Sequence, residues 1–319
     1  MGEAACRQEH LRAGGRMIRY AKAESDEVGK RVDAEVPTWR TRAAKATQKM
    51  ATQKKYSGDG PSWSDVKPVY MRLQHFKCVF CERPLAGEAA GKVEQDVEHF
   101  RPKNALKAWP PKQPKGKPAP YAFGTGAAGP GYYWLAYELT NYAAACKPCN
   151  STRKSNYFPI ASDNRGAAGQ DVATLNSGEQ PLLPYPLGTV DADPEALITF
   201  DGIVAKPVAA DGTDHRRALV TIDFFGLNIR EELWADRFRT ISDLWSKLEL
   251  IETSKDPARI EMTKRRVEDA LSDAAPQASC ARAFFQLYKS DPIAAFETYV
   301  LAERFWRSKA GSSEPQSPS

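Results

Sequence analysis

Between residues 64 and 76 the apolar side chains fall at helical spacing: Val66, Val69, Tyr70, Leu73 and Phe76. That stripe predicts an amphipathic helix whose apolar face belongs to a core. From Val93 to Pro102 the spacing changes to two, in Val93-Glu-Gln-Asp-Val-Glu-His-Phe-Arg-Pro102. Alternation of this kind predicts a short strand, with Asp96 and Glu98 on one face and Val97 and His99 on the other. A twisted strand end can still aim Glu98 and His99 into a common cleft. Residues 132–140 predict a short amphipathic helix, with Asn141 in the turn that follows. Another helix is expected to start within residues 150–154, with Asn150 near its first residues.

The second half of the chain reads differently. Residues 197–208 predict a hairpin turning at Asp201-Gly202. Helices are expected over 215–225 and 230–253, with Gly226 as the stop signal between them. More follow near 256–273, 280–289 and 291–307. Val220, Ile222, Phe224, Phe225, Leu233, Trp234, Phe238, Ile241, Leu244, Trp245 and Leu248 supply core side chains. The pattern as a whole predicts an α+β fold with a mostly helical C-terminal region.

Proline, glycine and charge divide the chain. Residues 1–61 read as a basic, partly helical extension, with a loose start over 1–16 and Met17 as an alternative first residue. Within it, residues 38–55 are helix-prone and basic, and Ser57-Gly-Asp-Gly-Pro61 breaks them. Residues 62–160 form a central domain and 161–307 the hairpin and helical region. Residues 308–319, rich in Ser and Pro, predict a disordered tail. Residues 109–120 and 124–131 read as an exposed, extended insert. No run of about 18 apolar residues exists, so nothing is expected to span a membrane. With no secretory signal, a cytoplasmic location is expected.

The formal charge of +5 hides an asymmetry. Residues 1–160 carry 27 Lys+Arg against 15 Asp+Glu, and residues 161–319 carry 18 against 25. A surplus of +12 in the first half is the footprint of a polyanion-binding region.

Two Cys-x-x-Cys knuckles, Cys78–Cys81 and Cys146–Cys149, have the spacing of a tetrahedral structural zinc site. One such pair could be a redox dithiol, but two copies favour metal. Cys6 and Cys280 have no partner motif and read as free thiols. Between and beside the knuckles stand Glu98-His99, Asn141 and Asn150. A neutral imidazole is suited to taking a proton from water, and a carboxylate is a hard oxygen ligand suited to Mg²⁺.

In this order the residues resemble the HNH (ββα-metal) endonucleases of the four-cysteine zinc subtype. The resemblance implies that His99 is the general base. It implies that Glu98 and Asn150 hold one catalytic Mg²⁺ or Mn²⁺, and that Asn141 pins the loop and orients His99. Glu98 stands where the family usually has Asp, so Asp96 is an alternative ligand or a supporting partner. Arg101, Lys103, Arg153 and Lys154 flank the expected metal and are candidates for phosphate contacts, with DNA as the expected substrate. A second resemblance, over about residues 62–250, is to the PtuB-type HNH proteins of Septu anti-phage systems and some retrons. It rests on Glu98-His-Phe-Arg-Pro-Lys103, Tyr133-Trp-Leu-Ala-Tyr137, Cys149-Asn-Ser-Thr-Arg-Lys154, Pro181-Leu-Leu-Pro-Tyr-Pro186, Asp201-Gly-Ile-Val204 and Thr221-Ile-Asp-Phe-Phe-Gly-Leu-Asn228. It implies an ABC-type ATPase partner of PtuA type, for which the acidic helical half is a possible docking surface. The other reading of the same knuckles and basic half is a non-catalytic zinc module that binds nucleic acid or a protein.

Overall fold

A computed structural model describes Tyr20 and residues 24–87, 96–111 and 119–310. The expected loose start, Met17, Cys6, the first residues of the predicted strand (93–95), part of the insert (112–118) and most of the expected tail (311–319) lie outside the described residues.

The chain opens with α1 (Ser25–Glu35) and the basic α2 (Trp39–Gln53). Trp39, Ala43, Ala46 and Met50 recur every three or four residues in α2 and are buried, while its Lys and Arg side chains face out. The predicted helix over 64–76 divides into a 3₁₀ turn, Trp63–Asp65, and α3 (Lys67–Leu73). Pro68 sits in the first turn of α3, where its missing N–H costs nothing. The helix stops because His75 and Phe76 take positive φ, 53° and 54°, which turns the chain into the first cysteine knuckle.

Strands β1 (Asp96–His99) and β2 (Tyr142–Ala145) pair antiparallel, with His99 opposite Tyr142 and Glu98 opposite Ala143. All four β2 residues are buried. Its small Ala-Ala-Ala run allows close approach on the far side. There Gln74 accepts from Ala144 N–H at 2.8 Å and donates to Ala144 O at 2.8 Å, and Val79 N–H donates to the same oxygen at 3.1 Å. A π-helical turn, Pro148–Lys154, follows β2 and carries Cys149 and Asn150.

The helix expected over 132–140 is instead two 3₁₀ turns, Tyr133–Leu135 and Leu139–Asn141. The carbonyls that a helix would use are taken by side chains. Ala136 O accepts from Trp63 Nε1 at 3.1 Å and from Tyr142 Oη, and Leu135 O accepts from Asn141 Nδ2 at 3.1 Å. The described residues of the insert, 109–111 and 119–131, form no helix, and its second part is pinned. Leu106 N–H donates to Gly129 O at 2.8 Å, and a Cβ on Gly131 would meet Asn104 O at 2.2 Å.

After α4 (Val172–Glu179), which the apolar spacing did not announce, the predicted hairpin appears as β3 (Ile198–Asp201) and β4 (Val204–Pro207). Five helices follow: α5 (Gly212–Phe225), α6 (Glu231–Thr253), α7 (Pro257–Leu271), α8 (Ala278–Ser290) and α9 (Pro292–Ala310). Helix α9 runs three residues into the expected tail. One core runs from Tyr20 through β2 and α5 to Ala278, and a second lies between the hairpin and α6–α9. The first core crosses residue 160, so the central part and the start of the C-terminal region share one interior.

Gly226 ends α5 at φ 59°, and a Cβ there would lie 2.3 Å from the Arg153 guanidinium. Gly226→Ala is expected to cost about 1–3 kcal/mol through the left-handed backbone and the displaced Arg153. A urea denaturation midpoint unchanged from the wild type would contradict this.

Candidate active site and metal centre

The two knuckles meet. One sulfur from each of Cys78, Cys81, Cys146 and Cys149 lies within 4.8 Å of the other three, and Cys81 Sγ is 3.7 Å from Cys146 Sγ. Tetrahedral zinc with Zn–S bonds of about 2.3 Å needs sulfurs roughly 3.8 Å apart. The four cysteines can therefore hold a zinc ion. Hydrogen bonds from Cys149, Cys78 and Cys81 pull the Cys146 thiol below its ordinary value. Cys146 N–H points at Cys78 Sγ (3.4 Å), and Arg230 Nη1 donates to Cys149 Sγ at 3.2 Å. A buried guanidinium against a thiolate offsets the negative charge that four thiolates place on one divalent ion.

The first knuckle is also fastened to the C-terminal helices. Lys77 Nζ donates to Ala275 O at 2.9 Å, and Gln277 Nε2 donates to Cys81 O at 2.9 Å. Ser279 Oγ donates to the Glu82 carboxylate, and Arg83 pairs with Asp236 at 2.6 Å. Because Asn150 follows Cys149 directly, closing the knuckles also fixes where Asn150 stands.

Beside the cysteines lies a cleft of about 370 Å³ whose lining includes Trp63, Lys67, Glu98, His99, Lys103 and Asn150. Glu98 and His99 both reach it, although they occupy adjacent positions at the end of β1. His99 is 7% exposed and stands edge-on to Trp63 (ring centroids 4.7 Å apart) and to Tyr142 (5.0 Å). Its Nε2 is 3.2 Å from Ala136 O. A carbonyl only accepts, so the proton sits on Nε2 and Nδ1 keeps its lone pair. Burial first, then the Lys103 and Lys154 charges, lowers the His99 pKa to about 3, and the ring is neutral at ordinary pH.

Asn141 is buried in the turn that leads into β2. Its Oδ1 accepts from Arg101 N–H at 2.7 Å, and its Nδ2 donates to Arg101 O at 3.0 Å as well as to Leu135 O. Phe100 N–H donates to the Asn141 carbonyl at 2.9 Å. Asn141 thus extends the β1–β2 ladder two residues past His99 and ties it to the turn that presents Ala136 O. The alternative ligand Asp96 lies at the other end of β1, opposite Ala145, and its side chain is outside the described set.

The four expected phosphate-contacting cations are distributed otherwise than their spacing suggested. Arg101 is interior: it pairs with Glu179, donates to Asn176 Oδ1 at 2.9 Å and lies over the rings of Tyr132 and Phe158. Lys154 is interior as well, 0% exposed, with Nζ 3.2 Å from Glu98 Oε1. Arg153 folds back, half-buried, onto Gly226 and the Phe224 carbonyl (3.5 Å). Fixed carboxylates and carbonyls hold these three where a phosphate was expected. Of the four, Lys103 lines the cleft, with Nζ 4.3 Å from the Trp63 ring centre. Lys67, 2% exposed, also lines it and was not anticipated. The available signal was a lysine set inside the apolar stripe of Val66, Val69 and Tyr70. Glu179, which supports the strand end through Arg101, carried no motif that could have singled it out.

These features define a mixed helix-and-strand protein with a four-cysteine cluster able to hold zinc. Among the described residues no helix is long and apolar enough to cross a membrane. No protein-family model matches the chain, and no solved structure matches it. The chain is similar to the Septu protein PtuB of Bacillus mycoides (strain KBAB4), at 29% identity over 182 residues. The match covers 56% of this chain and 52% of that protein, so the chain spans about half the length of the relative it matches.

Proposed function

We propose that the chain is a metal-dependent endonuclease of the HNH (ββα-metal) kind that hydrolyses DNA phosphodiester bonds, with a role in anti-phage defence beside an ABC-type ATPase of PtuA type. The observation that carries this reading is the meeting of Glu98, His99 and Asn150 in one cleft, on two antiparallel strands followed directly by a helical turn. His99 is the general base: its unprotonated Nδ1 takes a proton from the attacking water. The donor set suits a hard divalent cation, since Glu98 offers a carboxylate, Asn150 an amide oxygen, and the cleft has room for waters. Bound there, Mg²⁺ or Mn²⁺ would offset charge on the scissile phosphate and the departing 3′ oxygen. Asn141 holds the strand end that carries His99, and Lys103 and Lys67 favour an incoming phosphate. The defence role draws on the likeness to a protein named for Septu. DNA as substrate draws on the basic first half, and the ATPase on the sequence resemblance.

The test is a plasmid assay with Mg²⁺ or Mn²⁺, with the protein alone and with an added ABC-type ATPase of PtuA type. Nicking or linearisation that requires the added divalent ion is expected. DNA retention without cutting under every condition would overturn the reading in favour of a non-catalytic zinc module.

A further inference from the structure

The described residues that line the cleft have a charge balance unusual for a metal site. Of the described residues that line it, Glu98 is the one carboxylate, while Lys67 and Lys103 are both cationic. A third ammonium, Lys154, lies 3.2 Å from Glu98 Oε1, with both side chains inside the protein. A divalent ion approaching Glu98 meets a carboxylate already neutralised, with two more cations nearby. Mg²⁺ and Mn²⁺ commonly complete such sites with phosphate oxygens from the substrate. Every phosphate brought to the lysines moves the balance back toward negative.

We propose that Lys154 is the resident counter-cation of Glu98, opposing divalent metal in the empty cleft, so that the metal loads together with the nucleic-acid phosphate. This rests on the reading of Glu98 as a metal ligand. It assigns Lys154 a positioning role: it holds the Glu98 carboxylate in place and sets the order in which the site fills. Metal and nucleic acid then bind with positive coupling, and each must raise the affinity of the other by the same factor.

The experiment follows Mn²⁺ binding through the electron paramagnetic resonance signal of the free ion, on the intact zinc-loaded chain. Without nucleic acid, Lys154→Met is expected to bind Mn²⁺ at least about tenfold more tightly than wild type, because one full charge beside the ligand is gone. A short phosphorothioate oligodeoxynucleotide, which resists cutting, should tighten Mn²⁺ binding to wild type by a similar factor and to Lys154→Met far less. Equal or weaker Mn²⁺ binding in Lys154→Met, or no effect of the oligonucleotide on wild type, would overturn the proposal while the metal site stands. Glu98→Gln separates the two levels. If Mn²⁺ binding survives in Glu98→Gln, the ion sits elsewhere, and the metal reading falls together with this proposal. Should Lys154→Met fail to fold, the half-buried Lys103→Met reads the same electrostatics, with an expected gain of about threefold and no gain as the overturning result.

Discussion

Replacing His99 by alanine is expected to lower the DNA cleavage rate by about 10²–10⁴-fold, the usual contribution of a positioned general base. The loss is chemical, but a structural cost accompanies it. His99 is enclosed by the Trp63 and Tyr142 rings, and removing it leaves a void worth about 1–3 kcal/mol of stability. The Ala136 carbonyl is not orphaned, because Trp63 and Tyr142 still donate to it. The variant is therefore expected to fold, hold its zinc and melt a few degrees below wild type. A variant that cuts as fast as wild type would remove His99 from the mechanism. The sign of the pH dependence follows from the same burial. The folded-state pKa is about 3, against an ordinary value of about 6.5. As the pH falls from 6.5 toward 3 the unfolded chain takes the proton first, so folding stability drops across that window. His99→Ala should lose less stability over the same window than wild type does.

Removing the zinc is expected to have the largest structural effect. Structural zinc is worth on the order of 10–16 kcal/mol in small peptides, against about 5–15 kcal/mol of net stability for a typical domain. Cys149→Ser would delete one ligand and also strip the Arg230 guanidinium of its sulfur partner. The damage is not expected to stay near the cysteines. Lys77, Glu82 and Gln277 join the first knuckle to the start of α8, so loosening the knuckle releases those helices too. Thermal melts followed by circular dichroism should show Cys149→Ser largely unfolded or melting tens of degrees lower. A melting curve within a few degrees of wild type, with the zinc gone, would show that the knuckles are dispensable for the fold.

Much of this arrangement was legible in the sequence because it is written in short-range spacing. The strand at Asp96–His99, the hairpin turning at Gly202 and the helix stop at Gly226 all follow from local periodicity and turn chemistry. Two Cys-x-x-Cys pairs imply their meeting point whatever lies between them. The sequence was less informative where a partner far along the chain decides the outcome. Residues 132–140 have a helical pattern, yet Trp63, Asn141 and Tyr142 claim the carbonyls that a helix would need. Arg101 and Lys154 look like surface cations beside a motif, and only Glu179 and Glu98, placed by the fold, reveal them as interior. Lys67 carried the opposite disguise, as a core-stripe residue that faces the cleft.

The side chain of Gln74 carries a consequence for how the protein keeps company. A two-stranded ribbon of four residues a side has little hold of its own, and an exposed ladder edge invites any passing extended segment to join. One amide, offering a donor and an acceptor to Ala144, occupies the position a third strand would take. The sheet that carries Glu98 and His99 is thereby sealed on the β2 side. Neither a foreign peptide nor a second copy of the chain can enlist that edge at Ala144, where the Gln74 amide and the Val79 N–H already take the backbone's hydrogen bonds.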